Sequence, residues 1–250
     1  MLTTNERERY DRQITIKGFG QEGQEKLKRA RVVIAGSGGL GSPSSIYLAA
    51  AGVGKIRIVD HGSVELSNLN RQVLYWDEDI GNKKVASAID KLKRLNPAIE
   101  IEAIEETITE ANVSRLVAGF DLVVDAMDNL PTRYLLNKAA VDRNIPFFHG
   151  AVYGFEGRAM TIIPSKTACL ECIYHGATIP EEKFPVIGVT PAIIGCIQAT
   201  EVIKYIVGIG ELLTNRLLVY DGLNLKFTEL KVKKDPNCKH CGHLGREDRK

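Results

Sequence analysis

Long apolar runs, a leader-like start, strong net charge, repeats and linkers are all missing from this chain. No stretch approaches the roughly 18 consecutive apolar residues that a membrane-spanning helix needs. The opening segment, Met1 to Tyr10, is largely polar and charged, unlike a secretory leader, so a cytoplasmic location is expected. A net charge of +2 is too small to point to nucleic acid or to a membrane surface. With no internal repeat and no flexible linker in 250 residues, we expect one domain over 1–250, whose grammar changes near residue 150. Hydrophobic residues at 44% and charged ones at 26% fit an ordinary globular protein with a sizeable core. Cysteines are few, five in all. In a chain expected to be cytosolic they suggest metal binding or chemistry before disulfides.

What is present centres on Arg31–Gly41. Val32, Val33 and Ile34 read as a buried parallel strand that ends in Gly36-x-Gly38-x-x-Gly41. Gly39 lies within the same loop, and a small apolar run, Ile46 to Ala51, follows Pro43 as a helix. Strand, glycine turn and helix N-terminus together make a phosphate cradle, because free N–H groups and the helix dipole converge where no side chain blocks approach. No Lys-Ser/Thr follows the loop, which excludes the other common phosphate-binding loop. Asp60 closes a second strand, Lys55–Asp60, roughly 24 residues after Gly36, near the spacing of about 20 at which such folds place a ribose-binding acid. A solvated strand-end acid is the plain alternative.

Along the chain, Thr4 is expected to cap a helix over Glu6–Gln13, and Gln21–Arg29 forms another. Ser67–Gln72 reads as a polar loop. Helices are expected over Val85–Leu95, Glu110–Ala118 and Thr132–Asp142, alternating with strands at Ile99–Ile104, Phe120–Ala126 and Pro146–Phe148. This β-α-β-α repetition favours a parallel sheet with helices on both faces. Beyond Gly150 the pattern changes. Gly157–Pro164 reads as an antiparallel edge strand and Ala168–Pro185 as a crossing loop. Thr190 is expected to cap a helix with Pro191 in its first position, and Leu217–Asp221 pairs with Leu225–Val232.

Cys169-x-x-Cys172 and Cys238-x-x-Cys241 are two knuckles of the kind that supply four thiolates to tetrahedral zinc. Such a metal would staple the tail to the crossing loop. A redox pair, unrelated thiols, or a mixed set with His240 or His243 are the alternatives.

These features, taken in order, resemble the MoeB/ThiF/HesA group, relatives of ubiquitin-activating enzymes, and its MoeB branch most. The resemblance covers nearly the whole chain. It rests on Arg9-Tyr10-Asp11-Arg12-Gln13, the glycine loop, Asp60, Ser67 to Gln72, Lys84, Asp128-Asn129 with Arg133, Gly195-x-x-Gln198-Ala199-x-Glu201 and both knuckles. It implies a Rossmann-like, doubly wound, mostly parallel sheet with a nucleotide-binding half over 1–150. An antiparallel, crossover-loop and zinc-binding half would follow over 151–250.

The activity implied is adenylation, from ATP and Mg²⁺, of the C-terminal glycine of a ubiquitin-like β-grasp carrier ending in Gly-Gly. MoaD and ThiS, of molybdopterin and thiamine synthesis, are carriers of this type. By the resemblance, Arg71 and Lys84 hold the phosphates, Asp128 binds Mg²⁺, Asp60 takes the ribose and Asn68 orients the phosphates. Gly36, Gly38, Gly39 and Gly41 form the cradle. Arg12 would reach into the partner's site of a homodimer. By residue type alone, Arg12 and Arg71 read as surface charge, and Lys84 and Asp128 as a helix start and a strand end.

One departure concerns sulfur. Many relatives carry a cysteine in the crossover loop, but Gly176–Val189 has none. Cys196 lies in an apolar helix and reads as packing. The enzyme is therefore expected to stop at the acyl-adenylate and leave sulfur transfer to a separate donor. Rival readings are adenylation of a tRNA nucleoside or a peptide carboxylate, a nicotinamide-dependent oxidoreductase, and a non-enzymatic zinc-stapled binding protein. An oxidoreductase has no use for Lys84 and Asp128 around a triphosphate.

Overall fold

The computed structural model describes residues 1–177 and 184–244. Eight strands form one sheet: β1 (Arg31–Ala35), β2 (Lys55–Val59), β3 (Glu100–Ile104), β4 (Leu122–Asp125), β5 (Phe147–Tyr153), β6 (Glu156–Ile162), β7 (Arg216–Asp221) and β8 (Lys226–Lys231). Their spatial order is β3-β2-β1-β4-β5-β6-β7-β8. The first five run parallel and the last three antiparallel. The helices are α1 (Thr4–Arg9), α2 (Asp11–Ile14), α3 (Gly20–Arg29), α4 (Gly41–Ala51), α5 (Lys84–Leu95), α6 (Val113–Val117), α7 (Leu130–Arg143), α8 (Leu170–Tyr174) and α9 (Val189–Val207). None of them is long and apolar enough to cross a membrane.

Alternation along β1 builds two cores. Val32 and Ile34 face one core with Leu27, Leu48, Leu92 and Ile194, from α3, α4, α5 and α9. Val33 and Ala35 face the other with Leu116 and Leu136, from α6 and α7. Both faces of the central strands are dry, which is why their sequence shows no polar alternation. The chain crosses from one face to the other between β1 and β4, so the sheet's switch point opens at the C-terminal ends of these two strands.

Several local expectations are corrected. Thr3, not Thr4, caps the first helix: its hydroxyl accepts the Glu6 N–H at 3.2 Å, while Glu6 accepts the Thr3 N–H at 2.7 Å. That segment is two helices broken at Tyr10, whose buried hydroxyl accepts from Asn96 at 2.8 Å. Gly157–Pro164 is not an edge: β6 lies between β5 and β7, and the edges are β3 and β8. The crossing loop contains α8, and residues 178–183 of the expected loop lie outside the described residues. Thr190 does not cap α9. The cap position is Gly188, and Thr190 lies inside the first turn, where its hydroxyl donates to the Gly154 carbonyl at 3.0 Å.

Candidate functional site

At Gly36 and Gly41 the glycine loop is fastened to the switch point by contacts that leave no room for a side chain. Gly36 has φ +96°, and a Cβ there would lie 2.5 Å from the Ala126 carbonyl oxygen at the end of β4. A Cβ on Gly41 would sit 2.1 Å from the Gly36 carbonyl oxygen. Both positions therefore require glycine. Gly38 is less confined, with Gln72 Nε2 3.7 Å from its added Cβ, while the space beside Gly39 is taken by Pro191 at 3.1 Å. The loop's conformation is held from outside by two groups. Asp60 accepts the Ser37 N–H at 2.8 Å and the Gly62 N–H at 2.7 Å. Tyr75 donates to the Ser37 carbonyl at 2.9 Å and bonds the Ser37 hydroxyl. Burial pushes the Tyr75 phenol far above its ordinary value, so it stays a neutral donor.

Around this loop the structure gathers most of the expected residues. Lys84 opens α5, and its ammonium lies 3.5 Å from the point where a Gly62 Cβ would stand, a point 3.1 Å from Asp60 Oδ1. Lys84 forms no ion pair among the described residues. Arg71 leaves the short turn after Leu66–Asn68, with its Cγ 3.6 Å from the corresponding point on Gly39. Its guanidinium is held by the Ser67 carbonyl at 2.8 Å and Asn70 Oδ1 at 3.0 Å. Asn68 is buried and closes its own turn, accepting the Glu65 N–H at 3.3 Å. Gly188, before α9, packs against Asn70: a Cβ there would meet the Asn70 carbonyl oxygen at 2.3 Å.

Asp128 stands exposed on the turn between β4 and α7 and, among the described residues, is bonded only by Asn129, at 3.3 Å. Asn129 caps α7 by accepting the Thr132 N–H at 2.9 Å. The Lys84 ammonium, the stem of Arg71 and the turn that carries Asp128 thus lie on segments that meet the glycine loop where β1, β2 and β4 end, and the N–H groups of Gly38, Gly39 and Gly41 have no partner among the described residues.

Arg12 is not brought to this group. It is exposed on α2, and its neighbour Gln13 donates to the Ala51 carbonyl at 2.8 Å, at the C-terminal end of α4. The glycine loop lies at the other end of that helix, about 16 Å away by helical rise.

The Gly195-x-x-Gln198-Ala199-x-Glu201 motif proves to be a brace. A Cβ at Gly195 would strike the Leu40 carbonyl oxygen at 2.6 Å, so α9 rides directly on the start of α4. Gln198 Nε2 donates to the Asp125 and Phe148 carbonyls at 2.7 and 2.9 Å, tying β4 to β5. Glu201 accepts from the Thr161 hydroxyl and the Leu213 N–H, both at 2.6 Å.

The four knuckle cysteines are buried in one cluster, with their sulfurs within 4.8 Å of one another. Neighbouring sulfurs are 3.5, 3.6 and 3.9 Å apart. Tetrahedral zinc with bonds of about 2.3 Å puts its sulfurs about 3.8 Å apart, so donor chemistry and spacing both fit. Without a metal the packed sulfurs share their protons unequally: hydrogen bonding, first from Cys241, draws the Cys169 thiol down to about 5, while burial pushes Cys238 up to about 11 and the bond to Cys169 pushes Cys241 up. His240 faces Asn137 at 3.0 Å and stacks edge-on with Tyr134, and His243 is exposed, so the mixed-ligand alternative fails. Asn137 also accepts the Leu170 N–H at 2.9 Å, docking α8 on α7.

Sequence reasoning missed Tyr75, His149 and Tyr174. His149 is fully buried, 2.7 Å from Asp125 and 3.3 Å from the Tyr174 hydroxyl. The only sequence signal was a histidine within an otherwise apolar strand.

The ThiF family model matches residues 10–240. The SAMP-activating enzyme E1 of Haloferax volcanii is 44% identical over 249 residues, spanning 98% of this chain and 92% of that protein. The sulfur carrier protein adenylyltransferase of Thermus thermophilus is 43% identical, over 96% of this chain and 92% of its own length. Among solved structures, E. coli MccB with AMPCPP and MccA superposes with a TM-score of 0.85 at 27% identity, covering 94% of this chain and 74% of that one. MccB with ATP gives 0.81 at 28% identity, over 88% and 69% of the two chains.

Proposed function

The chain belongs to the ThiF family, and from that premise we propose that it adenylates the C-terminal glycine of a ubiquitin-like sulfur-carrier protein. The supporting observation is that Lys84, Arg71 and Asp60 lie against a glycine loop at the switch point, with Asp128 on the turn that follows Ala126, the residue the loop packs on. Two relatives over 40% identical along nearly their full length are named for activating a SAMP and for adenylylating a sulfur carrier.

The chemistry joins two anions. The carrier's terminal carboxylate attacks the α-phosphorus of ATP, a carboxyl–phosphate bond forms, and the bond to the bridging oxygen breaks as pyrophosphate leaves. Charge builds on that oxygen, and fixed cations stabilise it best where water is excluded. Lys84 and Arg71 supply those cations, and the N–H groups at Gly38–Gly41 take phosphate oxygens. Asp60 already accepts two backbone N–H groups, so it sets the loop as well as offering an edge to ribose. Asn68 would orient the phosphates from its turn.

Mg²⁺ neutralises the phosphates when bound. Asp128, an exposed carboxylate with no cation paired to it among the described residues, is the donor suited to hold it. Zinc would occupy the four sulfurs, a closed site with no position open for water, and so serve structure alone. Arg12, at the wrong end of α4 for its own loop, is proposed to complete the site of a second copy. Cys196 is half-buried and burial raises its thiol, which supports packing over chemistry and an enzyme that ends at the acyl-adenylate.

The MccB superposition keeps a second acceptor class in view, a carboxyl group on a peptide. Incubation with ATP, Mg²⁺ and β-grasp carriers ending in Gly-Gly tests the choice by mass spectrometry. The expected result is a carrier heavier by one AMP. Adenylation of short peptides but of no carrier would support the second class instead.

A further inference from the structure

Behind the Asp128 turn runs a line of buried polar groups that nucleotide binding leaves unexplained. Asp125 ends β4 and His149 is its register partner on β5; both are fully buried. Burial lowers the imidazole's proton affinity more than Asp125 restores it, so the ring is neutral. One tautomer satisfies every partner: Nδ1–H donates to Asp125 Oδ2 at 2.7 Å, and Nε2 accepts the Tyr174 hydroxyl at 3.3 Å. The other carboxylate oxygen accepts the Met127 N–H at 3.2 Å and lies 3.8 Å from Arg133 Nε. Arg133 Nη2 donates to the Met127 carbonyl. Met127 is therefore gripped at both its N–H and its C=O, and the next residue is Asp128. At the far end, Tyr174 is the last residue of α8, which carries Cys172 and is docked through Asn137.

Buried charged and polar groups such as these add little stability over apolar side chains of equal volume, so their worth lies in the geometry they fix. We propose that Tyr174, His149 and Asp125 form a positioning relay that sets the Met127–Asp128 turn for a divalent cation, with the cysteine-bearing helix α8 as its anchor. The relay rests on the reading of Asp128 as the cation's ligand. None of its three members touches the nucleotide in this scheme; they act through the turn.

The test uses the full chain and three substitutions. His149→Leu removes both hydrogen bonds, His149→Asn restores a donor toward Asp125, and Tyr174→Phe removes only the hydroxyl. ATP affinity is measured by calorimetry across a Mg²⁺ series, and backbone amide exchange is followed at residues 127–129. His149→Leu is expected to raise the Mg²⁺ needed for half of the metal-dependent gain in ATP affinity about 10-fold. Tyr174→Phe should raise it about 3-fold, as loss of one modest hydrogen bond would. His149→Asn should recover most of the loss. ATP affinity without added Mg²⁺ should stay constant, while amide exchange at the turn rises.

Equal weakening with and without Mg²⁺, or a wild-type Mg²⁺ series and amide exchange in His149→Leu, would overturn the relay. If His149→Leu does not fold, Tyr174→Phe decides by the same criteria. Asp128→Ala separates the two levels. If it keeps the metal-dependent gain, the reading of Asp128 has failed and the relay falls with it. If it loses that gain while the relay variants keep theirs, the relay alone has failed.

Discussion

Among the described residues Asp128 is bonded only to the amide beside it, so its removal should cost the fold little and the proposed chemistry a great deal. Asp128→Ala is expected to lower carrier-dependent ATP–pyrophosphate exchange on the order of 100-fold with an unchanged melting temperature; exchange within a few-fold of wild type would remove Asp128 from the site. Gly41 is the opposite case. Its missing Cβ would overlap the Gly36 carbonyl, so Gly41→Ala should destabilise the chain by about 1–3 kcal/mol and weaken ATP binding together, read by melting and calorimetry. The glycine loop and Asp60 were legible because their type and spacing answer a chemical demand of phosphate binding, whereas Lys84 and Asp128, which by type alone read as a helix start and a strand end, were singled out only through the family resemblance. Tyr75 and His149 were not, since a tyrosine between Leu74 and Trp76 or a histidine beside Phe148 looks the same whether it braces a loop or fills a core. Gln198 and Glu201 were legible as a motif, while their work, bracing strands through backbone carbonyls and N–H groups, emerges only in three dimensions.

Elements carry stability differences that single residues do not reveal. α8 spans only Leu170–Tyr174, too short to hold itself, and depends on Asn137 and the sulfur cluster. Cys238→Ser should lower the melting temperature by about 5 °C or more and release bound zinc; a wild-type melt with one zinc still bound per chain would refute the four-sulfur site.

α5 is fastened elsewhere. Lys91 pairs with Asp79 and lies 3.8 Å over the Trp76 ring. Burial alone would raise the Asp79 carboxyl, but the Lys91 bond, the Trp76 N–H and the Lys91 charge outweigh it and hold it below its ordinary 3.8. A depressed folded value means the contribution is complete above that ordinary value and fades as acid titrates the folded group. Asp79→Asn should therefore flatten the fall in melting temperature below about pH 4, relative to wild type. Parallel superposition of the two acid limbs would show that this pair does not contribute.

The sequence signalled these helices through apolar period but misplaced their ends. Thr4 and Thr190 are reasonable caps by type, yet Thr3 reaches Glu6, and the Gly154 carbonyl claims Thr190. β6 was misread as an edge because its outward partner, β7, begins more than fifty residues later and no local pattern announces that pairing.

At the scale of the whole molecule, the strand order follows from β-α-β alternation, whereas the assembly does not. Arg12 stands at the far end of α4 from its own glycine loop, and its use in the site of a second copy is the proposal to test. Mixing Arg12→Ala with Asp128→Ala chains, each inactive alone, should restore about a quarter of wild-type activity, since half of the randomly paired dimers would hold one intact site of two. No recovery after exchange of subunits would place Arg12 outside the partner's site. The most direct measurement is ATP–pyrophosphate exchange by the intact chain, with a Gly-Gly carrier and with the same carrier lacking its last glycine. Adenylation of that terminus predicts exchange with the first and none with the second; equal exchange with both, or exchange with no carrier at all, would contradict it.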